Sequence, residues 1–189
     1  MDIHGKNFTS ESLEELRDLD ISELEECTFT RLDFSDLSFR SWRFIECQFI
    51  KCSFSEVDLV NTTFREVAFQ ECRLMGVNWT ACRSISDPNF EHCKMDYSVF
   101  QGLDLRKISF LNCSAKEVDF SNCNLSGAIF SGTMLQNASF NQSDLRNADL
   151  RDAIRYFIDP QYTKLKGAKV DFPEASSILT AIGLEVSFH

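Results

Sequence analysis

Residues 27–54, CTFTRLDFSDLSFRSWRFIECQFIKCSF, carry phenylalanine at 29, 34, 39, 44, 49 and 54. Extended in both directions, the beat gives twelve apolar centres in one register, from Leu24 to Trp79. It slips by one residue in WTACRSISDPNF (79–90). Fourteen more centres follow, from Ile85 through Phe90, Met95 and Phe100 to Leu145 and Leu150. Fourteen of the eighteen Phe sit at centres. A second apolar class lies two residues before the centre: Cys27, Leu32, Leu37, Trp42, Cys47, Cys52 and their successors. The other three positions are mostly polar. A helix would scatter a five-residue repeat around its surface, and a flat strand would alternate it between faces. The pattern is satisfied if the chain turns a corner with every pentapeptide, so that each centre returns to one interior. Stacked coils then pair their backbones at the usual sheet spacing of about 4.8 Å.

Composition excludes several classes. No apolar run is long enough to span a membrane, and MDIHGKNF lacks the basic-then-apolar order of a secretory leader, so a cytoplasmic protein is expected. Net charge is −10, which opposes direct nucleic-acid binding. Residues 1–26 carry −7 of it, leaving −3 for 27–189. The eight cysteines are spaced by 20, 5, 20, 10, 11, 20 and 10, which suits no zinc set. Buried reduced thiols are expected, and no metal or cofactor. His4 and His189 are near the termini, and His92 falls at an outward position. With no phosphate loop and no nucleophile elbow, the chain reads as a non-enzyme.

The A/C-x-x-F/L-x pattern, plainest in CNLSGAIFSGTMLQNASFNQSDLRNADL (123–150), resembles the pentapeptide-repeat family. That resemblance implies an all-β fold: a right-handed quadrilateral parallel β-helix with one pentapeptide per side, here about six and a half coils. Residues twenty apart become stacked neighbours, as Phe29, Phe49 and Phe69. Each buried ring contributes about 1.5–3 kcal/mol, with stacking in addition. Glu46 and Glu66 then continue a column with Glu26, and Asp36 and Glu56 form another. With Asp58, the residues Asp36, Glu46, Glu56 and Glu66 are candidates for a cationic partner groove. Arg40, Arg43 and Arg65 are the alternative, as internal neutralisers. Ile45, Ile50, Val60, Met75, Val99, Leu111, Ile129 and Met134 fall outward as a possible contact surface.

Both ends of a solenoid need closing. The division expected is an N-terminal cap (1–23), the repeat array (24–153) and a C-terminal capping and dimerisation segment (154–189). At the N-terminus, Ser12 and Glu15 fit a helix capping box, while Leu19 and Leu24 keep the beat of an extra coil. After Asp152 the repeat stops. Pro173 to Gly183 reads as one short helix, with LEVSF alternating like a strand behind it. Ile178, Leu179, Ile182, Leu184, Val186 and Phe188 exceed what capping one rod requires, so a two-fold dimer is expected there.

The tail sharpens the resemblance. Tyr156, Ile158, Asp159 and Pro160, then Leu165, Gly167 and Ala168, then Pro173-Glu174-Ala175 and Leu184 are similar to the tail of quinolone-resistance (Qnr-type) pentapeptide proteins. Mycobacterial fluoroquinolone-resistance and microcin B17 immunity proteins are their relatives. The implied function is DNA mimicry: a homodimeric rod that engages DNA gyrase or topoisomerase IV and relieves quinolones or a peptide toxin. With one extra residue as its only interruption, this array resembles the loop-free kind. Whether it protects or inhibits the topoisomerase stays open. The alternative function is a scaffold for another protein–protein interaction.

Overall fold

The computed structural model describes residues 1–10, 16, 22–35, 37–55 and 57–187. It is a right-handed, four-sided parallel β-helix. Eleven short strands are found among the described residues: β1 (Asp2–His4), β2 (Asn7–Phe8), β3 (Glu23–Glu25), β4 (Thr28–Thr30), β5 (Arg43–Ile45), β6 (Gln48–Ile50), β7 (Thr63–Arg65), β8 (Ala68–Gln70), β9 (Ser84–Ser86), β10 (Asn89–Glu91) and β11 (Ser109–Leu111). The first face carries the ladder β1-β3-β5-β7-β9, and the second carries β2-β4-β6-β8-β10-β11, all parallel. The remaining faces pair through single bridges, such as Ser53↔Arg73 on the third and Asn78↔Val99 on the fourth.

Register follows the beat. Phe29 lies over Phe49, and Phe49 over Phe69. On the second face, Phe8, Phe29, Phe49, Phe69, Phe90, Phe110 and Phe130 form one continuous ring stack, with centroids 4.6–5.3 Å apart. The Lys6 ammonium sits 5.0 Å over the Phe8 ring at its N-terminal end. On the fourth face Trp79, Phe100, Phe120 and Phe140 stack in the same way. Third-face rings do not: Phe34 and Phe54 meet edge-on at 65°. Neighbouring columns also touch edge to face, as Phe29 and Phe44 do at 78°, so quadrupoles are complementary along and across the rod.

The corner sits two residues after each centre, and there the backbone takes positive φ. Glu26, Arg31, Glu46, Lys51, Glu66, Glu71, Asn112, Asn122 and Asn147 are examples, with φ between 52° and 62°. Six of the seven glycines (Gly5, Gly76, Gly102, Gly127, Gly132 and Gly167) occupy this same position. At Gly132 the need is double, because φ is +67° and a Cβ would run into the Asn112 side chain. Corner N–H groups donate to the next coil, as from Glu46 to Arg65 O at 2.9 Å. Most corners also close on themselves: the N–H of Trp42 donates to Phe39 O, and that of Ala128 to Leu125 O. With positive φ at the third residue, these are type II turns.

Side chains two before the centre face inward and bond the coil below. Thr62, Ser98, Thr133 and Ser143 donate to carbonyls of Phe39, Leu74, Phe110 and Phe120. Cys47, Cys52, Cys72 and Cys93 use their thiols alike, toward Leu24, Phe29, Phe49 and Phe69. All eight cysteines are free thiols, and seven are fully buried. Burial pushes Cys47 and Cys82 up to about 12 and Cys123 to about 11, which keeps them protonated and unreactive.

The ends differ from expectation. Residues 2–8 add one more level below Leu24, with Ile3 and Phe8 in the columns. The helix expected from Ser12 and Glu15, and Leu19 with it, fall outside the described residues; Leu16 is buried in the core. The extra residue at 79–85 is absorbed by a 3₁₀ turn, Trp79–Ala81, whose Thr80 N–H donates to Asn78 Oδ1. At the far end the sequence pattern stops at Asp152, yet pairing continues through Asp144↔Lys164 and Asp149↔Lys169. Asp171 Oδ2 and Glu174 Oε2 then accept the corner N–H groups of Asp152 (2.9 Å) and Arg155 (3.0 Å). Carboxylates thus stand where another coil's carbonyls would be. The C-terminal helix, α1, is Ser176–Ala181, shorter than Pro173–Gly183 because residues 172–175 are turns. Residues 184–187 form no strand, so the alternation in LEVSF has no ladder to join.

Candidate partner-binding surface

Glu26, Glu46, Glu66 and Asp87 occupy successive levels of the corner between the first and second faces, and all are exposed. Sheet spacing puts about 4.8 Å between their backbones. The ridge ends one coil on, where Lys107 and then Gly127 take the position. Charge along it is only lightly compensated. Arg65 Nε is 4.0 Å from Glu66, Arg43 is committed to Glu23 at 2.9 Å, and His4 lies 3.6 Å from Glu26. Like charges so spaced repel mildly in water and more when desolvated, so the ridge gains from a cationic partner.

Many carboxylates elsewhere are occupied. An Asp or Asn one before the centre accepts the N–H two residues on, as Asp58 from Val60, Asp119 from Ser121 and Asn124 from Ser126. Where Arg follows the centre, it also grips that carboxylate: Arg106 on Asp104, Arg146 on Asp144 and Arg151 on Asp149. The Arg151 guanidinium holds Asp149 down at about 2.

The structure therefore separates the expected acidic residues. Glu46 and Glu66 share the ridge. Asp58 lies on the fourth face, bonded by the Val60 N–H and paired with Arg40 at 3.0 Å, which hold its carboxyl below the usual range. Asp36 and Glu56 fall outside the described residues. Glu26 and Asp87 belong to the ridge and carry the same signal, an acid two after a centre. Among outward apolar residues, Val60, Met75 and Ile129 are exposed, and Ile50, Val99, Leu111 and Met134 are half-buried. Ile45 is a correction: only 3% of it is exposed, so it offers no contact surface.

At the C-terminal end, Ile178, Leu179 and Val186 are half-buried while Ile182 and Leu184 are about half exposed; Phe188 falls outside the described residues. Phe172 beside them is 67% exposed. Among the described residues no His, Cys, Asp or Glu cluster is built to hold a metal ion, and no helix is long and apolar enough to cross a membrane.

A regular five-residue solenoid with corner residues in the left-handed region defines a class, and the class has a sequence model. The family model "Pentapeptide repeat region" matches residues 22–86 and 83–153, and the chain belongs to that family. Among solved structures, a trypsin-treated variant of QnrB1, a plasmid-mediated fluoroquinolone resistance protein, matches with a TM-score of 0.54 and 19% identity. It covers 100% of this chain and 99% of that one. A second trypsin-treated QnrB1 variant gives 0.51 and 20%, over 99% and 98%. HetL, a pentapeptide repeat protein involved in heterocyst differentiation regulation in the cyanobacterium Nostoc sp. strain PCC 7120, gives 0.46 and 16%, over 84% and 90%. At these identities the likeness is one of fold. No curated protein sequence matches this chain.

Proposed function

We propose that this protein is a DNA-mimicking rod that binds a type II topoisomerase, DNA gyrase or topoisomerase IV, in the cytoplasm. In doing so it confers resistance to quinolones or immunity to a topoisomerase-directed peptide toxin. The observation that carries the reading is the row of four exposed, lightly compensated carboxylates at Glu26, Glu46, Glu66 and Asp87, held on a solid-cored column. Regularly spaced anionic groups on a rod offer a cationic DNA groove what a phosphate backbone offers it. Full-length likeness to QnrB1 supports the same reading.

Two such rods joined at their C-terminal ends through Ile178, Leu179, Ile182, Leu184 and Val186 would present one longer column. Leu179→Asp places a charge in that apolar contact and is expected to yield monomers by light scattering; an unchanged dimer mass would contradict the junction.

The deciding assay is gyrase supercoiling with and without ciprofloxacin. Added protein should alter supercoiling or restore it in the presence of drug, and Glu46→Gln with Glu66→Gln should blunt the effect. No change in either arm at micromolar protein favours a different role, as a scaffold for another protein–protein interaction. The Asp–Arg pairing that neutralises the later coils is what speaks for that second role.

A further inference from the structure

Beyond Phe140 the fourth face loses its repeat. The stack Trp79–Phe100–Phe120–Phe140 needs another ring at position 160, and the chain has Pro160 there. Instead the backbone turns outward. Asp159 Oδ1 accepts the Gln161 N–H at 2.8 Å, and Asp159 O accepts that of Tyr162 at 3.2 Å. Beside the turn lies a cleft of about 240 Å³ whose lining includes the buried Phe140 and Ile158. Phe157 and Tyr162 flank it, 56% and 60% exposed. Asp159, half-buried, and Asn141 supply its acceptors. Asp159 Oδ2 and the Asn141 side chain make no hydrogen bond or ion pair among the described residues.

We propose that this cleft binds a guanidinium group, the side chain of an arginine on a partner protein. Two exposed aromatic rings attract a cation through their negative faces. A carboxylate with an open oxygen completes the match to the planar donor fork of arginine. The compact, strongly hydrated ammonium of lysine fits such a slot less well. Long-range charge acts in the same direction, since the chain carries −10. The cleft lies on the side of the rod, is lined by no residue of α1, and is separate from the ridge at Glu46 and Glu66. It therefore stands whether or not the partner is a topoisomerase.

The test is a titration of the ¹⁵N-labelled protein with N-acetyl-arginine methylamide, and in parallel with its neutral citrulline counterpart, followed by amide chemical shifts. Saturable shifts are expected at residues 157–163 and 139–141 with the arginine probe and not with citrulline. Asp159→Asn should weaken binding about two- to fivefold. Phe157→Ser and Tyr162→Ser should each weaken it about two- to fivefold. Glu71→Gln, exposed in the early coils and remote from the cleft, should leave it unchanged. The substituted side chains are exposed or half-buried, so the variants keep the fold, which an unchanged melting curve verifies. Equal shifts with citrulline, shifts centred on Glu46 and Glu66, or indifference to Asp159→Asn would each overturn the proposal.

Discussion

The coils before Phe100 and those after it solve one corner problem in two ways. In the early coils, the first two corners hold Glu26, Arg31, Glu46, Lys51, Glu66, Glu71, Asp87 and His92, all at positive φ. At the same two corners of the later coils, Asn112, Gly127, Gly132 and Asn147 outnumber Lys107 and Asp152. Left-handed backbone costs an ordinary residue about 1–2 kcal/mol, nothing for glycine, and less for asparagine. The late coils therefore use the residues that turn most easily, whereas the early coils accept strain at every level to keep a charge on the edge. Strain retained along a surface is a pointer to function, and it falls on the half that bears the acidic ridge.

The largest effect should come from the aromatic column that holds the early half rigid. Phe69→Ala opens a cavity between Phe49 and Phe90 and should cost about 3–5 kcal/mol in urea denaturation. Leu125→Ala, in the later half, should cost about 2–5 kcal/mol and serves as the reference. A smaller loss at Phe69 than at Leu125 would break the view that the strained half depends on its rings.

Next is the contribution of the last coil to an alkaline transition. Burial, with Asp171 and Glu174 nearby, raises the Tyr156 hydroxyl from 10 to about 12. A raised folded value means the neutral phenol is favoured by folding. Its stabilisation, about 2 kcal/mol, is complete below pH 10 and disappears as pH rises toward 12. Hydrogen exchange should show the last coil opening over that window, and Tyr156→Phe should remove this part of the pH dependence; the buried Cys47 and Cys82, also raised to about 12, act in the same sense on the early coils.

An exchange of corner residues tests the comparison itself. Glu46→Asn should stabilise the early half by about 0.5 kcal/mol, and Asn122→Glu should destabilise the late half by a similar amount. Equal signs would remove the strain argument. The smallest effect is acidic. The depressed Asp149 carboxylate stabilises above pH 3.8, and that contribution is lost as pH falls toward 2. Arg151→Gln should flatten this step in an acid titration of thermal stability, by a modest amount because the pair is partly solvated.

Most of this architecture was legible because apolar spacing is a direct record of which side chains return inward. Phe29, Phe49 and Phe69 announced their column, and the slip at 79–85 announced a bulge. Less visible was whatever depends on conformation more than on polarity. The corner rule is written in glycines at 5, 76, 102, 127, 132 and 167, yet charged residues share the position and hide it. Asp58 looked like Glu46 as a surface acid. Only the path of its backbone reveals that Val60 and Arg40 already claim it. The added level at Lys164 lacked the aromatic marker, and Ile3 and Phe8 stand one residue out of the register counted back from Leu24 and Phe29, so the array read shorter than it is.

Asp171 and Glu174 carry a consequence for assembly. An exposed parallel edge would recruit further chains and grow into a fibre, but here two of the donors near the C-terminal end are already claimed by side-chain oxygens from the same molecule. At those two positions a union of two copies relies on interlocking side chains and not on backbone strands continued from one to the other. Such a joint acts as a knuckle whose angle is set by shape, leaving the paired columns free to differ in bend from a single unbroken shaft.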